Sequence, residues 1–178
     1  MKNILILDTE TTGLHPSQGA LLIEIGALLY NIEHRVVIQT LSGFLPCQTN
    51  EVENINHIKA EWTRQCYPKW TLDALCGMSD DADAIVAHNA QFDESFLKVN
   101  VIDDDFWKIP WICTKNDFQW PVRLVRNRLQ DVCAAMGVQY VDAHRALTDC
   151  QFIADCFSRV PDLKERLEKC GKKRKSSY

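Results

Sequence analysis

Three short stretches of this 178-residue sequence carry side chains that could do chemistry together. The first is Asp8-Thr9-Glu10, which ends the apolar run Ile4-Leu5-Ile6-Leu7. Residues two apart in a strand share a face, so Asp8 and Glu10 set two carboxylates side by side. Like charges there repel and lose hydration unless a cation sits between them. Hard oxygen ligands of this kind suit Mg²⁺ or Mn²⁺. The second stretch is His88-Asn89-Ala90-Gln91-Phe92-Asp93, where a short buried strand gives way to a helix with Asp93 in its first turn. The third is His144-Arg145-Ala146-Leu147-Thr148-Asp149. It places His144 near the start of a helix and Asp149 about one and a half turns along it. Each has a plainer reading: an acid pair closing a loop, an acid complementing a helix dipole, a solvated histidine at a helix start. Their joint occurrence favours one site over three coincidences.

The elements that must position these groups follow from periodicity and turn residues. Residues 3–8 form a continuous apolar run, too short for a helix and suited to a central strand covered on both faces. Gly13, Pro16 and Gly19 mark a turn, and residues 21–30 and 35–45 read as two further strands, giving a three-stranded meander. Residues 46–83 are helical but interrupted. Residues 84–88 form a buried strand, and 91–100 a helix with Phe92, Phe96, Leu97 and Val99 on its apolar side. Residues 110–113 suggest one more strand. A helix over 129–136 stops at Gly137. The last long helix spans 142–160, burying Ala146, Leu147, Ile153, Ala154 and Phe157. A short helix over 163–170 and a frayed end over 171–178 follow. Strands first and alternation later predict an α/β fold, a mixed sheet flanked by helices.

Composition narrows the class. Hydrophobic residues make up 46% and charged residues 25%, which excludes wholesale disorder. No apolar run approaches the ~18 residues of a membrane span, so no membrane partner is expected. The start reads as a strand rather than a signal peptide. The net charge of −4 hides a split: residues 164–178 hold seven basic side chains against two acidic, and residues 1–163 hold 13 against 22. An acidic body argues against a protein that coats nucleic acid, but not against an enzyme that holds metal ions and grips nucleic acid locally. The eight cysteines form no C-x-x-C pair and read as reduced, mostly buried thiols of a cytoplasmic protein. Lys115, Arg123, Arg126 and Arg128, interleaved with Trp111, Phe118 and Trp120, suit either a single-strand groove or a core with a solvated basic face.

Ile6-Leu7-Asp8-Thr9-Glu10-Thr11-Thr12-Gly13-Leu14 with Ile23-Glu24-Ile25-Gly26-Ala27, then Ala87-His88-Asn89-Ala90-Gln91-Phe92-Asp93, then Ala143-His144-Arg145-Ala146-Leu147-Thr148-Asp149-Cys150 stand in the order and spacing of one family's motifs. Together they resemble the DEDDh (DnaQ-like) 3′→5′ exonucleases of ribonuclease H-like fold. In form they are similar to the proofreading type, as in the epsilon subunit of DNA polymerase III. The resemblance spans residues 2–158. It implies a mixed five-stranded sheet, an antiparallel meander followed by parallel strands. It also implies an exonuclease domain over 1–163 with a short basic C-terminal helix and tail over 164–178.

The implied activity is hydrolysis of the terminal phosphodiester of nucleic acid, with single-stranded DNA 3′ ends favoured, to nucleoside monophosphates. Two Mg²⁺ or Mn²⁺ ions about 3.5–4 Å apart would share the work. Asp8 would bridge both, Glu10 and Asp149 would hold the nucleophile-side ion, and Asp93 would act through water. His144 would be the general base, since imidazole exchanges protons near neutral pH. Thr11, Thr12, Gly13 and Leu14 would position the terminal nucleotide, with Asn89 and Phe92 shaping the pocket. A DNA polymerase or repair partner is the expected context. The alternatives are an RNA-processing exoribonuclease of the same family and a non-catalytic, polymerase-associated nucleic-acid-binding subunit. The few residues after Leu163 favour a self-contained nuclease. Residues 46–83 depart from the family, with Asn56-His57-Ile58-Lys59-Ala60-Glu61-Trp62 in place of its Gly-containing turn.

Overall fold

A computed structural model describes residues 1–141 and 144–175. Five strands, β1 (Asn3–Thr11), β2 (Leu22–Asn31), β3 (Val36–Phe44), β4 (Ile85–Ala87) and β5 (Trp111–Cys113), form one sheet in the order β3-β2-β1-β4-β5. The β1–β2 and β2–β3 pairs are antiparallel, whereas β1–β4 and β4–β5 are parallel. The mixed sheet predicted from the sequence is therefore present, with β1 at its centre.

The central strand explains where the chemistry can sit. Ile4 and Ile6 join Leu28 and Tyr30 on one face, packed against α6 (Leu129–Met136), α7 (Ala146–Ser158) and α8 (Leu163–Lys175). Leu5 and Leu7 join Ala27 and Leu29 on the other, under α3 (Pro68–Ser79) and α4 (Ala90–Leu97). Alternation then carries Asp8 and Glu10 to the α7 side and Thr9 to the α4 side at the carboxyl end of β1. The parallel strands β4 and β5 end at this same edge, the usual place for a site in an open α/β sheet.

Several expectations need correction. The interrupted helical stretch over 46–83 is not among them, since it holds three separate helices, α1 (Glu53–Asn56), α2 (Ala60–Thr63) and α3. The short helix α5 (Asp104–Lys108) escaped the sequence reading, because five residues are too few for a period. Its mark is Asp103, whose side chain accepts from the Asp105 and Phe106 amides. Phe96 and Leu97 are buried on α4 as expected, but Val99 lies past the end of the helix and is exposed. Helix α7 begins at Ala146, so His144 precedes it in a left-handed conformation (φ 65°) and Asp149 sits in its first turn. Helix α8 runs on to Lys175, through the first part of the 171–178 stretch expected to fray, while Asp142, Ala143 and residues 176–178, also part of those two expectations, lie outside the described residues. Gly137 does end α6, at φ 72°.

Six of the eight thiols are buried. Trp111 and Phe118 are buried, and Phe118 and Trp120 pack on Phe157, so these aromatics belong to the core rather than a stacking groove. Among the described residues, no helix is long and apolar enough to cross a membrane.

Candidate active site

Four acids converge on the carboxyl edge of β1. Asp8 and Glu10 come from the strand itself and lie partly open at its rim. Asp93 arrives on the first turn of α4, which starts after Asn89 in a left-handed conformation (φ 79°). Its carboxylate is buried and accepts a 2.7 Å hydrogen bond from the Thr9 hydroxyl. Asp149 comes from the first turn of α7 and is buried, and its Oδ1 meets no hydrogen-bond partner among the described residues.

The electrostatics follow from this crowding. Loss of water, then the charges of Asp93, Asp149, Glu10 and Glu24, hold Asp8 well above the usual carboxylate range. Desolvation and the charges of Asp149 and Glu24 push Glu10 up to about 8. Burial raises Asp93 to about 7 despite the Thr9 hydrogen bond. Burial likewise raises Asp149 to about 6, opposed by the nearby His144. Acids so placed ask for compensating positive charge, and an orphaned, buried carboxylate oxygen asks for a ligand. Ligand atoms of Glu10, His144 and Asp149 all lie within 4.8 Å of one another. The donor set, oxygen-rich with one imidazole, fits a hard divalent cation. The structure thus brings Asp8, Glu10, Asp93, His144 and Asp149 to one place.

A fifth acid, Glu24, lies opposite Glu10 across the β1–β2 ladder. It is 1% exposed, and its oxygens are engaged by Arg145, through Nε and Nη2, and by the Ala146 amide at 3.1 Å. Arg145 itself offers α7 no side-chain cap, so a strand residue caps that helix. Gly26 completes the contact: a Cβ there would collide with the backbone of Ala146 and Leu147. Glu24 and Arg145 lie inside the motif stretches, yet local sequence assigns them no role. The signal was a lone charge inside an apolar strand. Thr9, and Tyr140, whose phenol is raised by burial and by the charge of Asp149, were also overlooked.

The expected substrate residues divide. The Thr11 hydroxyl donates to the Gly13 carbonyl at 2.6 Å, and Thr12 Oγ1 accepts from the Leu21 amide, so both shape the turn. Leu14 projects into solvent, 73% exposed. A cavity of about 300 Å³ beside this turn is lined by Thr12, Gly13, Leu14, Leu21, Gln48 and Glu51. Asn89 makes the bend into α4, and Phe92 packs partly buried on Phe96. His88 turns away from the acids. Its Nε2 donates to the Asn127 carbonyl and its Nδ1 accepts from Thr114, each at 2.9 Å, anchoring the basic segment after β5. Burial and the nearby Lys115 charge, against the Asn127 bond, lower His88 to about 4 and keep it neutral.

The sequence matches an exonuclease family profile (RNase_T) over residues 5–157. It is 30% identical over 170 residues to the PolC-type DNA polymerase III of Thermotoga maritima. That match covers 91% of this chain, which spans 12% of the length of the relative. Among solved structures, Escherichia coli exonuclease I in complex with a dA16 oligonucleotide superimposes with a TM-score of 0.72 at 16% identity, covering 97% of this chain and 43% of that one. Exonuclease X in complex with 5′ overhanging duplex DNA gives 0.68 at 18% identity, covering 95% and 98%. At these identities the likeness is one of fold.

Proposed function

The chain belongs to the exonuclease family, in its DnaQ-like branch of ribonuclease H-like fold, and on that basis we propose that it is a metal-dependent 3′→5′ exonuclease. Its substrate in this reading is single-stranded DNA, released as nucleoside monophosphates. The observation that carries the reading is the convergence of four acids whose charges oppose one another, with Asp149 Oδ1 left without a hydrogen-bond partner among the described residues. Asp8, Glu10, Asp149 and Asp93 would hold two divalent ions, Mg²⁺ or Mn²⁺. Bound there, the ions would offset phosphate charge, acidify the attacking water and stabilise the leaving 3′ oxygen.

The remaining work falls to the chain. His144 stands exposed beside Glu10 and Asp149, free to accept the proton of the attacking water on an imidazole nitrogen. Thr11, Thr12 and Gly13 hold the turn that presents Leu14 to the terminal base, and Asn89 and Phe92 shape the floor. The DNA polymerase relative supports DNA as the polymer and a polymerase or repair context. In this reading residues 1–163 are the catalytic unit and 164–178 an accessory basic segment. A non-catalytic binding subunit would have no need of the five converged groups.

The test is digestion of single-stranded oligonucleotides labelled at the 5′ end, as DNA and as RNA, with Mg²⁺, Mn²⁺ or EDTA. The expected result is a DNA ladder shortening from the 3′ end and lost with EDTA. A preference for RNA would move the reading to the exoribonuclease. No cleavage of either polymer would overturn it.

A further inference from the structure

Three large aromatic side chains stand in solvent on the segment that departs from the family pattern. Trp62 on α2 is 49% exposed, and Tyr67 and Trp70 at the start of α3 are 67% and 73% exposed. The Tyr67 and Trp70 rings lie 5.2 Å apart, and Lys59 Nζ sits 5.8 Å over the Trp62 ring. Between residues 59 and 70 the basic side chains Lys59, Arg64 and Lys69 face one acid, Glu61. Exposed rings are costly to leave in water, and grouped ones mark binding surfaces.

Their place in the fold ties them to the acids. Asn56, at the end of α1, donates to the Thr11 carbonyl at 3.1 Å, beside the first carboxylates. Ala60 of α2 and Phe44, the last residue of β3, both pack against the cluster of Ile23, Cys47 and Ile58. Thr71, next to Trp70, closes on Gly43, where a Cβ would lie 2.6 Å from its Oγ1. Phe44 pairs with Glu24, and Glu24 with Glu10. Two strand spacings, about 10 Å, thus separate this surface's anchor from the reacting edge.

We propose that Trp62, Tyr67 and Trp70, with Lys59, Arg64 and Lys69, form a stacking surface for the single-stranded nucleic acid upstream of the 3′ end held by the acids. The inference rests on the exonuclease reading and specifies its substrate. Unpaired bases present π-faces to rings of any sequence context, and the cations between the rings meet the backbone phosphates. A duplex keeps its bases stacked on one another and offers the rings nothing. A protein partner would want the rings equally but has no call for the interleaved cations.

The test uses the full chain in EDTA, with fluorescein-labelled oligo(dT) and a blunt duplex of the same length followed by anisotropy. Trp62→Ala/Trp70→Ala should bind oligo(dT) at least about 10-fold more weakly, and Trp62→Phe/Trp70→Phe should recover most of the loss. Duplex binding should change little. Wild-type binding of oligo(dT) that the alanine variant retains, an equal loss on duplex, or no wild-type binding at all would overturn the proposal. Hydrolysis of the p-nitrophenyl ester of thymidine 5′-monophosphate with Mn²⁺ is read alongside, since it needs no upstream strand. Both variants should keep wild-type turnover on it, and a fall there would place the rings in the reacting site instead. A wild type that hydrolyses neither the ester nor oligo(dT) would sink the exonuclease reading, while the anisotropy still decides the surface.

Discussion

The guanidinium of Arg145 and the carboxylate of Glu24, 121 residues apart in sequence, meet at 2.7 Å between Nη2 and Oε1. Five acids crowd the end of β1, and the guanidinium is taken by Glu24. Arg145 is thereby withheld from Asp8, Asp93 and Asp149, and it lowers Glu10 only through space. The same carboxylate caps α7 at Ala146, so the contact that neutralises one acid also fixes the helix carrying Asp149 and the bend carrying His144.

Arg145→Ala should therefore destabilise the fold by about 3 kcal/mol, because Glu24 would stay buried with its charge uncompensated. Glu24→Gln added to that variant should recover part of the loss. Urea unfolding of the single and double variants measures both, and additive losses would show that the two side chains are not coupled.

Gly26→Ala tests the close approach of β2 and α7. The new methyl would meet helix backbone, which cannot swing aside as a side chain can. A loss of roughly 1–3 kcal/mol is expected from thermal unfolding. Turnover should fall too, since the shift displaces Asp149 and His144. An alanine variant of wild-type stability would mean that α7 does not rest on β2 as described.

Stability should depend on pH in an unusual direction when metal is removed. Glu10, Asp93 and Asp149 titrate near 8, 7 and 6 in the fold, whereas unfolded carboxyls titrate at about 4. The folded chain then holds extra protons between those values, so its stability falls as pH rises from about 4 to about 8. The Tm in EDTA should drop by several degrees between pH 5 and pH 8, and Mg²⁺ or Mn²⁺ should restore more at pH 8 than at pH 5. A Tm in EDTA that rises across this window would contradict the electrostatics.

Much of this site was legible because its groups sit at strand and helix starts, where short motifs fix direction. Asp8 and Glu10 share a face by alternation alone, and the Ile85–Ala87 strand announced where Asp93 would emerge. What the sequence could not reveal was the non-local part. With no breaker in 142–145 the sequence predicts α7 from residue 142, yet His144 is left-handed and the cap comes from Glu24 across the sheet. Likewise Trp111, Phe118 and Trp120 looked like Trp62, Tyr67 and Trp70 as letters. Tertiary packing on Phe157 buried part of the first set, while the second stayed in solvent.

His144→Ala should slow hydrolysis by about 10²- to 10⁴-fold, the usual range for a general base, with Mn²⁺ affinity largely kept. Calorimetric titration of Mn²⁺ beside turnover separates the two roles. A large loss of Mn²⁺ binding would make His144 a ligand, which its proximity to Glu10 and Asp149 also permits.

The most direct measurement sets wild type against Asp149→Ala, both shown to be folded, on a 5′-labelled single-stranded DNA with Mg²⁺. The acid cluster as a metal-dependent centre predicts a ladder shortening from the 3′ end for wild type and an intact oligonucleotide for the variant. A variant that produces the same ladder at a similar rate would place the chemistry elsewhere and contradict the account.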